Sequence, residues 1–461
     1  MQTNTIAAIA TAVSNSGIGI IRISGEEAFD IIDRIFKSKN SKKKLSDAKS
    51  HTIHYGFIMD EEELIDEVLV SIMREPNTYT RENVVEINCH GGIVVVNKVL
   101  ETVLKYGARA AEPGEFTKRA FLNGRIDLAQ AEAVMDLISA QNDFALQSSV
   151  SQLQGTVSEK IKEIRAEILE NIAFIEAALD DPEHISLDGF EEKLLEVVLK
   201  IKEQLQHMIQ NFDNGRIRSE GVKTVILGKP NAGKSSLLNI LLGEERAIVT
   251  DIEGTTRDAL EERANINGIT LNIVDTAGIR QTEDVVEQIG VSRAKEHARD
   301  ADLIIYVIDR SRPLDENDYQ IMNLIQKESK EAIILFNKSD LNTVVDKEKL
   351  EKWLEGKHVI EFSTKNRTGL EELTEVIKNL FYQDKISFND QVYITNARHK
   401  HAISRAYESM KLVEKSLGDH MPEDFYSIDL MDAYESLGSI IGEAVEDDVV
   451  DEIFRKFCMG K

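Results

Sequence analysis

The stretch Gly228-Lys229-Pro230-Asn231-Ala232-Gly233-Lys234-Ser235 matches GxxxxGK[ST] and strongly constrains what the surrounding chain can fold into. It follows the apolar run 224–227 and precedes the helical run Ser236-Leu237-Leu238-Asn239-Ile240, which is the strand–loop–helix context the motif requires. The glycines let backbone N–H groups turn inward around phosphates at a helix N-terminus. Lys234 is placed to neutralise the outer phosphates, and the Ser235 hydroxyl to ligate Mg2+. A plain glycine turn would need neither the lysine nor the serine.

Two further signals follow in the order such a site demands. Asp275-Thr276-Ala277-Gly278 comes after the apolar run 271–274, so Asp275 can hold the magnesium water shell and the Gly278 N–H can sense a γ-phosphate. Asn337-Lys338-Ser339-Asp340 comes after the run 332–336. The Asp340 carboxylate can accept hydrogen bonds from the ring N–H and the exocyclic amine of guanine, a donor pair that adenine lacks. Alone, this string reads as a polar strand-end loop; spaced behind a phosphate loop, it selects GTP over ATP.

The surrounding pattern divides the chain. From 223 to 381, short apolar strands (224–227, 271–274, 303–308, 332–336) alternate with helical stretches, as in an α/β domain with a mostly parallel sheet. Asn267-Gly268 marks a hairpin turn, which makes one strand antiparallel and the sheet mixed. No proline interrupts 114–181, and the segments 127–138, 157–179, 191–212, 397–417 and 427–457 carry helical apolar spacing. Before Pro113, the segments 19–23, 67–72 and 83–87 are β-rich, predicting an N-terminal α+β domain. The expected organisation is an α+β domain at 1–118, a mostly α-helical domain at 119–220 and 382–461, and an inserted Ras-like α/β G domain at 221–381.

Charge restricts the partners. The chain has 55 Lys+Arg against 81 Asp+Glu, a formal charge of -26, so it repels phosphate backbones. Nucleic acid, if it is a substrate, must be gripped by a local basic groove or by a more basic second protein. The basic run Lys42-Lys43-Lys44 reads first as a solvated loop and, in the second reading, as a nucleic-acid contact. There is no run of about 18 apolar residues and no basic secretory N-terminus, which leads us to expect a cytoplasmic protein without membrane contact. Cys89 and Cys458 form no close-spaced pattern, and two reduced thiols are expected.

Classical GTPases place a glutamine after the glycine of Asp-Thr-Ala-Gly to orient the attacking water; here that residue is Ile279. An apolar side chain cannot polarise water, so hydrolysis is very slow or another group acts. Glu283 and Glu287 are the nearby carboxylates, and a solvated surface charge is the ordinary reading of each. Asn231 has two readings: its amide oxygen helps coordinate a monovalent cation beside the phosphates, or it stabilises the loop turn. In the first, the backbone carbonyls of Thr250, Ile252 and Thr255 complete the cage.

The region 223–381 resembles the translation-factor-related small GTPases, with Gly254-Thr255-Thr256-Arg257-Asp258 as first switch and Thr256 as second Mg2+ ligand. Ser363-Thr364-Lys365 departs from their usual Ser-Ala-Lys, a change expected to be tolerated because the backbone would contact the base. The flanking strings Gly19-Ile20-Ile21-Arg22-Ile23-Ser24-Gly25, His90-Gly91-Gly92, 113–124 (PGEFTKRAFLNG) and Phe457-Cys458-Met459-Gly460-Lys461 extend the resemblance to the whole chain. Together they resemble the MnmE (TrmE) family of tRNA-modification GTPases.

The resemblance implies a GTP site of Asn231, Ala232, Gly233, Lys234, Ser235 and Ser236; Thr250, Asp251, Ile252, Glu253, Gly254, Thr255 and Thr256; Asp275, Thr276, Ala277 and Gly278; Asn337, Lys338 and Asp340; and Ser363, Thr364 and Lys365. It assigns Asn231 to potassium and makes Glu287 the residue that orients water through a bridging water, with Glu283 a bystander. It implies binding of a formyl or methylene tetrahydrofolate by Arg22, Glu86, Arg125 and Lys461, Arg125 standing where some members have lysine. Cys458 could act as a nucleophile near the one-carbon unit or be a buried structural thiol. A homodimer formed through the N-terminal domains is implied, with an MnmG-type partner supplying FAD in a heterotetramer or larger complex. Most of the tRNA grip would then lie on that partner. The implied reaction is GTP hydrolysis driving a carboxymethylaminomethyl-type modification at carbon five of the wobble uridine. The competing reading is a ribosome-assembly or stress-response switch GTPase. Arg22, Glu86 and the terminal Cys458-Met459-Gly460-Lys461 favour the modification enzyme.

Overall fold

The computed structural model describes residues 4–38, 44–140, 142–186, 188–243, 262–266, 269–274, 298–328, 330–346, 350–381, 394–443, 445, 447–455, 457 and 460. It forms two compact units. The first comprises Met1–Ser139, Ser149–Leu205 and His401–Lys461, the second Ala140–Ser148 and Gln206–Lys400.

The first unit opens with β1 (Ile6–Ile9), β2 (Gly19–Ser24), α1 (Ala28–Ile35), β3 (Phe36–Ser38), β4 (Thr52–Asp60), β5 (Glu63–Met73), β6 (Val84–Cys89), α2 (Ile93–Lys105) and β7 (Arg109–Ala110). The strands make one sheet in the order β3-β4-β5-β6-β2-β1-β7. Alternation along β2 sends Ile21 and Ile23 into the core, where they meet Ile31, Ile32 and Ile35 of α1 and Val99 and Val103 of α2. The same alternation sends Arg22 to the opposite face, where register puts it across from Glu86. On β4 and β5, Ile53, Tyr55 and Leu69 remain exposed, with Tyr55 paired to Leu69.

The helices that follow are α3 (Glu115–Leu122), α4 (Leu128–Ser139), α5 (Asp143–Leu153), α6 (Thr156–Asp180) and α7 (Phe190–Glu220). Gly114, the N-cap of α3, has φ +72, and a Cβ there would lie 2.5 Å from the Phe454 carbonyl oxygen. Gly114→Ala is therefore expected to destabilise the fold by about 2–4 kcal/mol, from left-handed backbone strain plus the clash. A chemical-denaturation midpoint equal to wild type would contradict this.

The second unit contains β8 (Val222–Leu227), α8 (Lys234–Gly243), β9 (Glu262–Ile266), β10 (Ile269–Val274), β11 (Leu303–Asp309), α9 (Glu316–Glu328), β12 (Glu331–Asn337), α10 (Glu351–Leu354), β13 (His358–Glu361) and α11 (Leu370–Phe381). Its sheet runs β13-β12-β11-β8-β10-β9, parallel except for β9, which pairs antiparallel with β10, Ile266 facing Ile269. The four apolar runs read from sequence are strands here, each slightly longer than its apolar core. Every residue of β11 is buried, because helices cover both faces of a parallel sheet. The loops leaving the C-terminal ends of β8 and β12 carry the phosphate-loop and guanine motifs, the edge at which such sheets bind ligands.

Returning to the first unit, α12 (Ala397–Gly418), whose first four residues belong to the second unit, is followed by α13 (Glu423–Ile441) and α14 (Asp447–Arg455). The expected single helical run 427–457 is thus corrected to two helices. Gly442 at φ +87 ends α13, and the Glu443 N–H closes back on the Gly438 carbonyl, a left-handed glycine stop.

Candidate functional site

The phosphate loop lies between β8 and α8. Gly233 has φ +106, and a Cβ there would come within 2.0 Å of Asn337 Nδ2, so the position admits only glycine. Lys234 Nζ donates to the Gly228 and Lys229 carbonyls, both at 2.7 Å. Burial pushes its ammonium down to about 8, from desolvation with no carboxylate to offset it. Lys229 instead pairs with Asp315 and Asp318 at 2.9 and 2.6 Å, and the buried Asp318 also accepts from the Tyr306 hydroxyl at 2.9 Å. Asn231 sits at φ +63, which fits a turn role. Its side chain is exposed and makes no hydrogen bond among the described residues, so its oxygen also suits a cation. Ala232 is buried, Ser235 is half-buried at the start of α8, and Ser236 is exposed.

Asn337 joins this loop to the base-recognition segment. Fully buried, it donates through Nδ2 to the Ala232 carbonyl at 2.7 Å and accepts at Oδ1 from the Thr364 N–H at 3.1 Å. The threonine that replaces the usual alanine adds an Oγ1 contact to Asn337 at 3.5 Å. Ser363 Oγ donates to Asp340 Oδ1 at 2.7 Å. That bond holds the exposed Asp340 carboxyl below the usual range, so it is an ionised acceptor at neutral pH. Lys338, at φ +63, reaches Asp309 Oδ2 at 2.5 Å, while Lys365 is exposed. Burial raises the Asp309 carboxyl, but the Lys338 ammonium and Ser311 outweigh it and hold it low. Asp309 was not singled out from sequence; its position at the end of a wholly buried strand, beside the guanine loop, was the available signal.

Thr250, Asp251, Ile252, Glu253, Gly254, Thr255, Thr256, Asp275, Thr276, Ala277, Gly278 and Glu287 lie outside the described residues, as do Glu283, Cys458 and Lys461. Among the described residues, no cluster of His, Cys, Asp and Glu could hold a metal ion. The magnesium ligands expected here are hydroxyls.

A second cluster lies in the first unit. Arg22 donates from Nε to Glu86 Oε1 at 2.9 Å, and from Nη1 to the Gly460 carbonyl at 3.3 Å. Its guanidinium stands 5.7 Å from the ring centroids of both Tyr79 and Phe116. Arg125, at 4.7 Å from the Tyr79 centroid, also donates to the Tyr79 carbonyl at 3.3 Å. Arg22, paired with Glu86, and Arg125 thus stand against the ring of one tyrosine, with Gly460 bonded to Arg22. Tyr79 was missed from sequence, because it sits in an aperiodic loop, and Phe116 was quoted only within the string 113–124, without a site role. Glu86 offers a carboxylate to an amino-pyrimidine edge like that of a pterin, and the cations suit carboxylates. Cys89 is a buried free thiol that burial pushes up to about 11, which makes it inert at neutral pH.

A family model described as the MnmE helical domain matches residues 128–458, and one described as the GTP-binding protein TrmE N-terminus matches residues 5–125. The chain is 56% identical over 461 residues to the tRNA modification GTPase MnmE of Lachnoclostridium phytofermentans, covering 100% of both chains. It is 50% identical over 464 residues to the protein of the same name from Alkaliphilus metalliredigens, covering 99% of each. The Acetivibrio thermocellus protein of that name is 50% identical over 460 residues, again covering 99% of each. With matches to both family models and full-length relatives at this identity, the chain belongs to the MnmE family.

Proposed function

We propose that this MnmE-family GTPase is activated by potassium and acts with an MnmG-type partner that carries FAD. Hydrolysis of GTP would drive formation of a carboxymethylaminomethyl-type group at carbon five of the tRNA wobble uridine. The observation that carries the reading is that one chain holds both a guanine-nucleotide loop pinned by Asn337 and the Arg22–Glu86–Tyr79–Arg125 cluster suited to a folate.

At the nucleotide, Lys234 neutralises the outer phosphates and Asp340 reads guanine. Ser235 and Thr256 would hold Mg2+, and Asn231 with the carbonyls of Thr250, Ile252 and Thr255 would hold K+. Bound there, the two cations supply the positive charge that offsets charge developing on the phosphates. Glu287 orients the attacking water, the task Ile279 cannot perform. Arg22, Glu86, Arg125 and Lys461 bind a formyl or methylene tetrahydrofolate, with Cys458 close in sequence to Lys461. The exposed Ile53, Tyr55 and Leu69 favour a homodimer through the N-terminal domain. The formal charge of -26 leaves most tRNA contacts to the partner in a heterotetramer or larger assembly. Among the described residues, no helix is long and apolar enough to cross a membrane. The cytoplasm is the proposed site of action.

The test is a reconstituted reaction of full-length protein, FAD-loaded partner, folate donor and tRNA, followed by mass spectrometry of the wobble nucleoside. Modification is expected with GTP and potassium and to be absent with a non-hydrolysable GTP analogue. Equal yields with GTP and the analogue would overturn the reading.

A further inference from the structure

Strand β10 carries a feature that a buried central strand does not need. Ile269, Leu271 and Ile273 face the core, while Thr270 and Asn272 alternate with them on the other side and are also buried. Burying polar side chains costs free energy unless they are bonded, and these two sit where α7 ends.

The last carbonyls of a helix have no partner within it. In α7 the Gly221 N–H takes the Ile217 carbonyl at 2.9 Å, as continuing helix would. The next carbonyls are taken from outside. Asn142 Nδ2 donates to the Arg218 carbonyl at 3.0 Å, and Asn272 Nδ2 donates to the Glu220 carbonyl at 2.8 Å. Asn142 also reaches Thr270 Oγ1 at 3.5 Å and caps α5 by accepting the Ala145 N–H at 2.8 Å. Arg216, in the same last turns, pairs with Asp302 at 2.6 Å, and Asp302 Oδ2 accepts the Lys223 N–H at 3.0 Å. The end of α7 is thereby fixed to the base of β10 and β11.

Beyond Val274, two residues past Asn272, the next residue in sequence is Asp275 of the nucleotide motif. One strand thus runs from the γ-phosphate motif to the cap of a helix that spans Phe190–Glu220. We propose that Asn272 and Asn142 are positioning residues that couple GTP hydrolysis to tRNA modification, by making the end of α7 follow any displacement of β10. The inference rests on the function proposed above. Asn272 Oδ1 has no hydrogen-bond partner among the described residues. Asn272→Leu would remove the donor that the Glu220 carbonyl takes from outside the helix.

The experiment uses the full-length protein with Asn272→Leu and, separately, Asn142→Ala, reading GTP turnover, the thermal midpoint and the reconstituted wobble-uridine modification. The expected result is GTP turnover within about twofold of wild type with modification at least tenfold lower. A parallel loss of both activities would mark a merely structural role and overturn the inference, as would wild-type modification in folded variants. Should Asn272→Leu fail to fold, Asn142→Ala decides by the same criteria. If wild type itself gives no GTP-dependent modification, the functional reading fails instead.

Discussion

Lys234→Ala is expected to weaken GTP binding by at least ~100-fold while the protein stays folded. Truncating one partner of a desolvated charge pair typically costs about 2–5 kcal/mol, and each 1.4 kcal/mol is a factor of about ten. The lysine makes no ion pair among the described residues, only bonds to the Gly228 and Lys229 carbonyls, so the fold loses little. Its depressed pKa of about 8, against an ordinary 10.5, adds a pH signature. Phosphates beside the ammonium favour the charged form and return the pKa upward. Below pH 8 the lysine is charged both free and bound, so this group gives affinity no pH dependence there. Above pH 8, binding must take up a proton, and affinity falls by up to about tenfold per pH unit. The stability of the free protein responds with the opposite sign. Between about pH 8 and 10.5 the folded state binds fewer protons than the unfolded one, so this group's contribution rises with pH. Calorimetry at pH 8.5 in buffers of different ionisation enthalpy checks the uptake, and a binding enthalpy independent of buffer would refute it.

Asp340→Asn is expected to reduce GTP affinity by about 100- to 10,000-fold and to transfer preference to xanthine nucleotides. Two hydrogen bonds to a charged acceptor are lost, each worth about 1.5–3 kcal/mol. Xanthine carries an oxygen where guanine carries the exocyclic amine, so an amide donor at position 340 matches it. The Ser363 hydroxyl already orients this side chain at 2.7 Å, which keeps the substituted amide in the base-facing position. Competition binding with GTP and XTP measures the switch. Retained GTP preference in the variant would show that Asp340 does not read the base.

The nucleotide loop was legible because its chemistry is local: contiguous residues between a strand and a helix supply the cradle. Its link to the guanine loop through Asn337 was not, since Ala232 lies 105 residues away and only the parallel sheet brings them together. β-rich composition located β2, β5 and β6, yet the seven-stranded order is non-local, and β1 and β4 went unread. β1 is a four-residue apolar run without alternation, and β4 turns Thr52, His54 and Gly56 to its more buried side while the apolar Ile53 and Tyr55 stay exposed. Arg22 and Glu86 were named from resemblance, while Tyr79 between Arg22 and Arg125 has no periodic signature. A single glycine, Gly442, split a continuous amphipathic pattern into two helices. On β10 the strand was read, but its polar side was not, because Asn272 bonds the Glu220 carbonyl of α7 and Thr270 meets Asn142, both distant in sequence.

We propose that this GTPase activates itself with a monovalent cation and a remote carboxylate. Steady-state GTP hydrolysis by the full-length protein in potassium and in sodium buffer, beside Asn231→Ala and Glu287→Ala, separates self-activation from dependence on an external activator. Strong stimulation by potassium is expected, lost in Asn231→Ala, with hydrolysis abolished in Glu287→Ala. Equal slow rates in both salts would contradict it and point to a switch that waits for an external activator.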